Sequence, residues 1–205
     1  MQFSAFAPGH WLMNAKSANR NVCPCTAMNF PDLVNRIRTE RGLTSDDVPG
    51  FDPNNGNEGA KYLFLLEAPG PIAKKTGEIS LKNKDPSARN LREQLRVAGI
   101  GHKDLALWNV VPWYLSNDPG TSIRAATASD VREGIEYLVE LIEAMPNLRC
   151  IVLVGGAARQ AHMFLSRKTT ARIVTCHHTS ARATNSNRDA ARENIEVFSY
   201  VKATT

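Results

Sequence analysis

KYLFLLEAPGP, residues 61–71, sets an almost unbroken apolar run against an abrupt polar and proline-rich end. Three more runs share this form: Leu105–Val110 (LALWNV), Cys150–Val154 (CIVLV) and Arg172–Cys176 (RIVTC). Runs this short, bounded by turn residues and apolar on successive positions, predict strands covered on both faces, as in a parallel sheet. Between them the apolar spacing switches to that of a helix. Asn29–Arg41 places Phe30, Leu33, Val34 and Ile37 on one face, and Pro86–Val97 places Leu91, Leu95 and Ala98 beside one another. Ser129–Met145 carries Val131, Ile135, Leu138, Leu141 and Ile142 behind Ser129 as N-cap, and helices are also expected over Ala157–Leu165 and Arg188–Tyr200. Strand–helix alternation gives an α/β fold with a mainly parallel central sheet and right-handed crossovers.

The remaining stretches are punctuation. Residues 1–28 show no period and read as an irregular N-terminal arm, with one α/β domain over 29–205. Gly42–Gly59, rich in Gly, Pro, Asn and Asp, reads as a loop. A chain of 205 residues with 42% hydrophobic and 22% charged residues has enough apolar material for a complete core. No apolar run approaches the roughly 20 residues that span a bilayer, and residues 1–16 lack a secretory pattern, so a cytoplasmic protein is expected, and separately a monomer.

Net charge is +5, which suits a polyanionic partner and equally an ordinary solvated surface. The cations are clustered, with Lys74, Lys75, Lys82, Lys84, Arg89, Arg92 and Arg96 in one stretch and Arg182, Arg188 and Arg192 in another. Cys23 and Cys25 form C-x-C rather than C-x-x-C, while Cys150 and Cys176 fall inside strands as small apolar groups; no metal and no cofactor is expected.

Ligands of open parallel sheets bind beyond the carboxyl ends of the strands. Here the first strand ends in Glu67-Ala68-Pro69-Gly70, the second in Asn109, the third in Gly155-Gly156, and the fourth in His177-His178-Thr179-Ser180-Ala181-Arg182. A carboxylate, an amide and an imidazole thus arrive at one edge, whereas the glycines read as close helix–strand packing. The G-x-S-x-G elbow, the P-loop and the H-E-x-x-H helix are all absent from the sequence. Gly155-Gly156 does not extend to a dinucleotide fingerprint.

These strand ends resemble the motifs of the uracil-DNA glycosylase superfamily. Leu66-Glu67-Ala68-Pro69-Gly70 resembles the G-E-A-P-G motif of its iron–sulfur branch, and Asn109-Val110-Val111 resembles that branch's N-V-V. His178-Thr179-Ser180-Ala181-Arg182 resembles the H-P-S-P-R second motif. Leu66 stands for the motif glycine and Thr179 for the proline, and the four cluster cysteines are not reproduced. No Phe, Tyr or Trp lies between Leu65 and Leu107 to stack on a base, so a stacking partner comes from elsewhere, with Trp113 or Tyr114 as candidates, or is lost.

The resemblance implies a three-layer α/β/α sandwich around a four-stranded parallel sheet and a DNA glycosylase acting on a flipped uracil or related deaminated base. By the same resemblance His178 donates to the base oxygen, with His177 as rival. Asn109 reads the base edge, Glu67 positions or activates water or merely orients its loop, and the backbone of Ala68 and Gly70 approaches the base. Ser180, Lys74 and Lys75 would contact DNA phosphate, and Arg182 would serve either as wedge or as phosphate contact. The partner is then DNA containing uracil or another damaged base. A relative that binds nucleic acid or a free nucleobase without cleaving it, and an α/β metabolite-binding protein, are the rival readings.

Overall fold

The computed structural model describes residues 28–117 and 123–205. Its elements in chain order are α1 (Phe30–Arg41), β1 (Gly50–Phe51), β2 (Tyr62–Leu66), α2 (Pro71–Thr76), β3 (Glu78–Ile79), α3 (Pro86–Ala98), β4 (Leu105–Asn109) and α4 (Ala128–Gly134). They continue with α5 (Leu138–Glu143), β5 (Cys150–Val154), α6 (Gly155–Arg159), α7 (His162–Leu165), β6 (Arg172–Cys176), α8 (Ala181–Ser186) and α9 (Ala190–Ala203).

All four expected strands form, in the order β4-β2-β5-β6, and every neighbouring pair is parallel. The register explains the layering. Phe64 pairs with Leu107, so those two share a face, while the next rung, Leu65 with Trp108, points the opposite way. Phe64 meets Phe198 of α9 edge-on at 5.3 Å, and α9 packs on α3. On the other face Trp108 stacks on Phe51 at 4.1 Å, and Phe51 stacks on Phe30 of α1 at 4.0 Å. Helices therefore cover both faces, and residues of β4 and β5 are buried throughout. β6 differs from expectation. As the edge strand it leaves Arg172 and Thr175 exposed and fully buries only Cys176.

Local chemistry fixes the helix ends. Asn29 caps α1 through Asp32 N (2.8 Å), Asp85 caps α3 through Ala88 N (3.0 Å), and Gly42 and Gly99 close the same helices in the left-handed conformation. The single helix expected over Ser129–Met145 is instead α4, one 3-10 turn at Ile135–Tyr137, and α5. Its cap is Thr127 rather than Ser129. Thr127 and Asp130 cap each other's backbone N–H groups reciprocally, an arrangement Ser129 has no partner to make. The expected Gly42–Gly59 loop also holds structure, because Gly50–Phe51 pairs with Glu78–Ile79 as a short parallel ladder. Lys74 and Lys75 lie on α2. Among the described residues no helix is long and apolar enough to cross a membrane.

Candidate active site

Side chains two apart on a strand share a face, so Asn109 follows Leu107 and Phe64 onto the side covered by α3 and α9. At the carboxyl ends of β2 and β4 this face opens into a cavity of about 550 Å³, within the range of small-molecule sites. Glu67, Ala68, Gly70, Asn109, His178, Ser180 and Arg182 all line it. Three segments far apart in sequence thus meet at one place.

Asn109 is 3% exposed, and its Nδ2 has no hydrogen-bond partner among the described residues. A buried amide donor without a partner carries a desolvation cost of roughly 1–3 kcal/mol. An acceptor on a bound ligand would remove that cost.

His178 is held from three sides. Its Nδ1 accepts the Ser180 backbone N–H at 3.0 Å, which places the proton of the neutral ring on Nε2 and makes that nitrogen a donor. The next residue is anchored in turn. Thr179 is fully buried, its hydroxyl donates to the Ser87 carbonyl at 3.1 Å, and its own carbonyl accepts Asn90 Nδ2 at 2.9 Å. The third constraint is Gly155, left-handed at φ +86°. A Cβ there would lie 2.9 Å from His178 Cδ2 and 3.0 Å from its Cβ. The expectation for this glycine is helix–strand packing, and what its missing Cβ would meet is instead the imidazole, a contact the sequence does not reveal. Burial holds His178 below the ordinary histidine range, opposed in part by the negative charge of Glu67, so the ring is neutral near pH 7.

Glu67 accepts the Ala126 backbone N–H at 2.8 Å. That segment is tied down by Arg124, whose guanidinium makes two bonds to Asp130 at 2.6 and 2.9 Å and holds that carboxyl well below its usual range. Arg124 and Ala126 were not among the expected site residues. The T-x-x-D capping signature at Thr127–Asp130 is the sequence signal that could have marked their neighbourhood.

His177 requires a correction. Its Nε2 lies 2.6 Å from Glu193 Oε2 and its backbone N–H donates to Asn194 Oδ1, so the side chain faces α9 and does not line the cavity. Both histidines lie beyond the end of β6 at Cys176, and the bonds to Glu193 and Asn194 are what hold His177 away from the cavity. Trp113 and Tyr114 are likewise elsewhere. Arg41 covers the Trp113 ring at 3.7 Å, Lys74 sits over Tyr114 at 4.7 Å, and neither aromatic lines the cavity. The described walls are aliphatic instead, with Leu66, Ile79, Leu81, Leu91 and Leu107. Lys74 is also ion-paired with Asp47 at 3.1 Å, Arg92 donates to the Leu81 carbonyl, and Arg96 and Arg192 pair with acids on their own helices. Among the described residues Lys75, Lys82, Arg89 and Arg182 make no ion pair.

An iron–sulfur cluster does not fit the described cysteines. Cys150 begins β5 and Cys176 ends β6, four rungs apart, or about 13 Å at ~3.3 Å per residue. Burial also pushes their thiols up to about 11 and about 12, away from the thiolate a metal needs. Cys23 and Cys25 lie outside the described residues, as does the arm over residues 1–27.

Fold and cavity together define the class: an α/β sandwich whose ligand site sits at the carboxyl ends of parallel strands and presents an amide, an imidazole and a carboxylate. The family model described as the uracil DNA glycosylase superfamily matches residues 53–202, and the chain belongs to that superfamily. Among solved structures it is similar to wild-type Pedobacter heparinus SMUG2, with a TM-score of 0.56 and 16% identity over 86% of this chain and 97% of that one. It also matches a candidate uracil DNA glycosylase from Methanosarcina acetivorans, with a TM-score of 0.48 and 16% identity over 75% of this chain and 98% of that one. No curated protein matches the sequence.

Proposed function

We propose that this protein is a monofunctional DNA glycosylase that hydrolyses the N-glycosidic bond of a flipped uracil, or a related deaminated base, in DNA. The observation that carries the reading is the unpartnered Asn109 Nδ2 in the same cavity as a neutral His178 whose Nε2 is left as a donor. A carbonyl-rich base supplies the acceptors that both donors lack among the described residues.

In the reaction the bond from the sugar C1′ to the base nitrogen breaks, and its electron pair leaves with the base. Charge then develops on the base oxygens, and the productive place for a donor is opposite such an oxygen. His178 Nε2–H takes that place at O2. Asn109 donates to O4 and accepts N3–H, a pattern that cytosine, with a donor at its 4-position, does not match. Glu67 has one carboxylate oxygen engaged by Ala126 N–H, and the other holds the water that attacks C1′ and accepts its proton. The backbone of Ala68 and Gly70 forms the near wall, where small residues permit close approach.

DNA is the partner, and flipping costs a few kcal/mol in a duplex and less at a mismatch or in a single strand. Ser180 and Arg182 at the cavity, with Lys75 on α2, whose first turn lines it, supply phosphate contacts, so affinity falls steeply with salt. Lys74, paired with Asp47, contributes less than Lys75.

The test is incubation with single- and double-stranded oligonucleotides that carry one deoxyuridine, followed by alkali to reveal abasic sites. Strand scission by the wild type that is lost in both Asn109→Ala and His178→Ala is expected. Scission that survives both substitutions, or none from uracil, hypoxanthine or xanthine substrates, overturns the proposal. The aliphatic walls favour one second reading, a relative that binds a base or nucleic acid without cleavage. Salt-sensitive DNA binding without base release identifies it.

A further inference from the structure

Among the described residues four large apolar side chains are exposed: Val97, Ile123, Met163 and Tyr200. Single exposed apolar residues are ordinary on a protein surface. What separates Ile123 is its place. It is 44% exposed and yet lines the cavity, whereas the other three lie on α3, α7 and α9 away from it.

Its mounting is also unlike that of a free loop residue. Ile123 bridges Ser116 in an antiparallel pair, and the next residue donates its backbone N–H to the Leu115 carbonyl at 3.2 Å. Leu115 is buried, and Arg124 is locked to Asp130 by two charge-assisted bonds. Two residues on, Ala126 holds Glu67. The side chain at the rim therefore shares one short, anchored segment with the carboxylate inside.

We propose that Ile123 is an apolar wedge that enters the base stack at the position the flipped nucleotide vacates. This rests on the reading of the cavity as a base site. A base that reaches Asn109 leaves a gap in the duplex, and collapse of that gap draws the base back. Aliphatic wedges stabilise such unstacked steps by replacing the lost stacking surface with apolar contact. Ile123 brings that surface on a rigid support, with no charge to desolvate. Arg182 also lines the cavity and makes no ion pair among the described residues, but a guanidinium suits a phosphate better than the interior of a stack. The two roles left open for Arg182 thus divide, with Ile123 as the wedge and Arg182 on phosphate.

The experiment compares wild type, Ile123→Ala and Arg182→Ala on a single-stranded deoxyuridine oligonucleotide and on the same strand in a U:A duplex. In parallel, 2-aminopurine is placed beside a non-cleavable 2′-fluorodeoxyuridine to report unstacking by fluorescence. Ile123→Ala is expected to lower the ratio of duplex to single-strand rates by about tenfold, because only the duplex opposes extrusion. It should also lower the 2-aminopurine signal at saturating protein. Arg182→Ala should weaken binding to both DNAs and leave that ratio unchanged. A ratio unaltered in Ile123→Ala, with full 2-aminopurine signal, overturns the wedge. If the wild type cleaves neither DNA, the glycosylase reading falls on its own, and the fluorescence comparison still decides the wedge.

Discussion

Replacing Gly155 by alanine tests how the imidazole is aimed. The added Cβ would lie 2.9 Å from His178 Cδ2, 3.0 Å from Cβ and 3.3 Å from Cγ. Contact with Cβ and Cγ together cannot be relieved by turning the ring, so the whole side chain must shift while Ser180 N–H still holds Nδ1. Alanine at φ +86° also carries roughly 1–2 kcal/mol of left-handed strain. For a chain of this size that lowers the melting temperature by roughly 2–8 °C. The catalytic effect should be larger in proportion. Misplacing a reacting group by about 1 Å costs on the order of a hundredfold, so a shift of a few tenths of an ångström predicts a fall in kcat of about three- to thirtyfold. The control is Gly156→Ala, since nothing lies within 4 Å of a Cβ there and its φ is ordinary. Single-turnover cleavage of a deoxyuridine oligonucleotide, paired with thermal melts, reads both effects. A Gly155→Ala protein that melts lower yet cleaves at the wild-type rate refutes the idea that Gly155 sets the donor.

Asn109→Leu should separate stability from function. The substitution removes a buried donor with no partner among the described residues, so the melting temperature should hold or rise, while discrimination of uracil from cytosine drops by about ten- to a hundredfold; a lower melting temperature would show that the amide has a structural partner. His178 gives a pH dependence of defined sign. Its folded value is depressed by burial, so below the ordinary 6.5 the unfolded chain takes up a proton that the folded ring refuses. Stability from this group is complete above 6.5 and declines as the pH falls through 6.5 toward the folded value. Wild type should therefore lose more melting temperature than His178→Gln between about pH 7.5 and 5.5. An equal or smaller loss in the wild type contradicts a buried neutral imidazole.

Much of this architecture is written in short-range pattern. The strands are legible because burial on two faces demands uninterrupted apolar runs, and CIVLV and LALWN have no other comfortable home. Glu67, Asn109 and His178 are legible because parallel strands present their carboxyl ends at one edge. What pattern does not encode is reach across the fold. The contact between Gly155 and His178 joins the ends of two neighbouring strands, and the bond from Ala126 to Glu67 spans 59 residues of chain. Neither leaves a periodic trace. Choosing between His177 and His178 required knowing which of them α9 engages beyond the end of β6, and Glu193 and Asn194 on that helix take His177. Thr127 overtook Ser129 as cap because the decisive partner, Asp130, stands three residues after it. The clustered cations are the hardest feature to read from pattern. Several of them are spent on Asp47, Glu93, Glu196 and a backbone carbonyl, which a count of charges cannot show.

The side-chain amide of Asn109 offers the sharpest probe of the central claim, because it should change state only when a base enters. Two-dimensional NMR of the labelled protein would follow its NH₂ resonances on addition of DNA carrying 2′-fluorodeoxyuridine, with the 2′-fluorodeoxycytidine strand for comparison. A downfield shift of one amide proton is expected with the uracil analogue, as Nδ2 gains its acceptor, and none with the cytosine analogue. Identical responses to both strands, or no response to either, would contradict it.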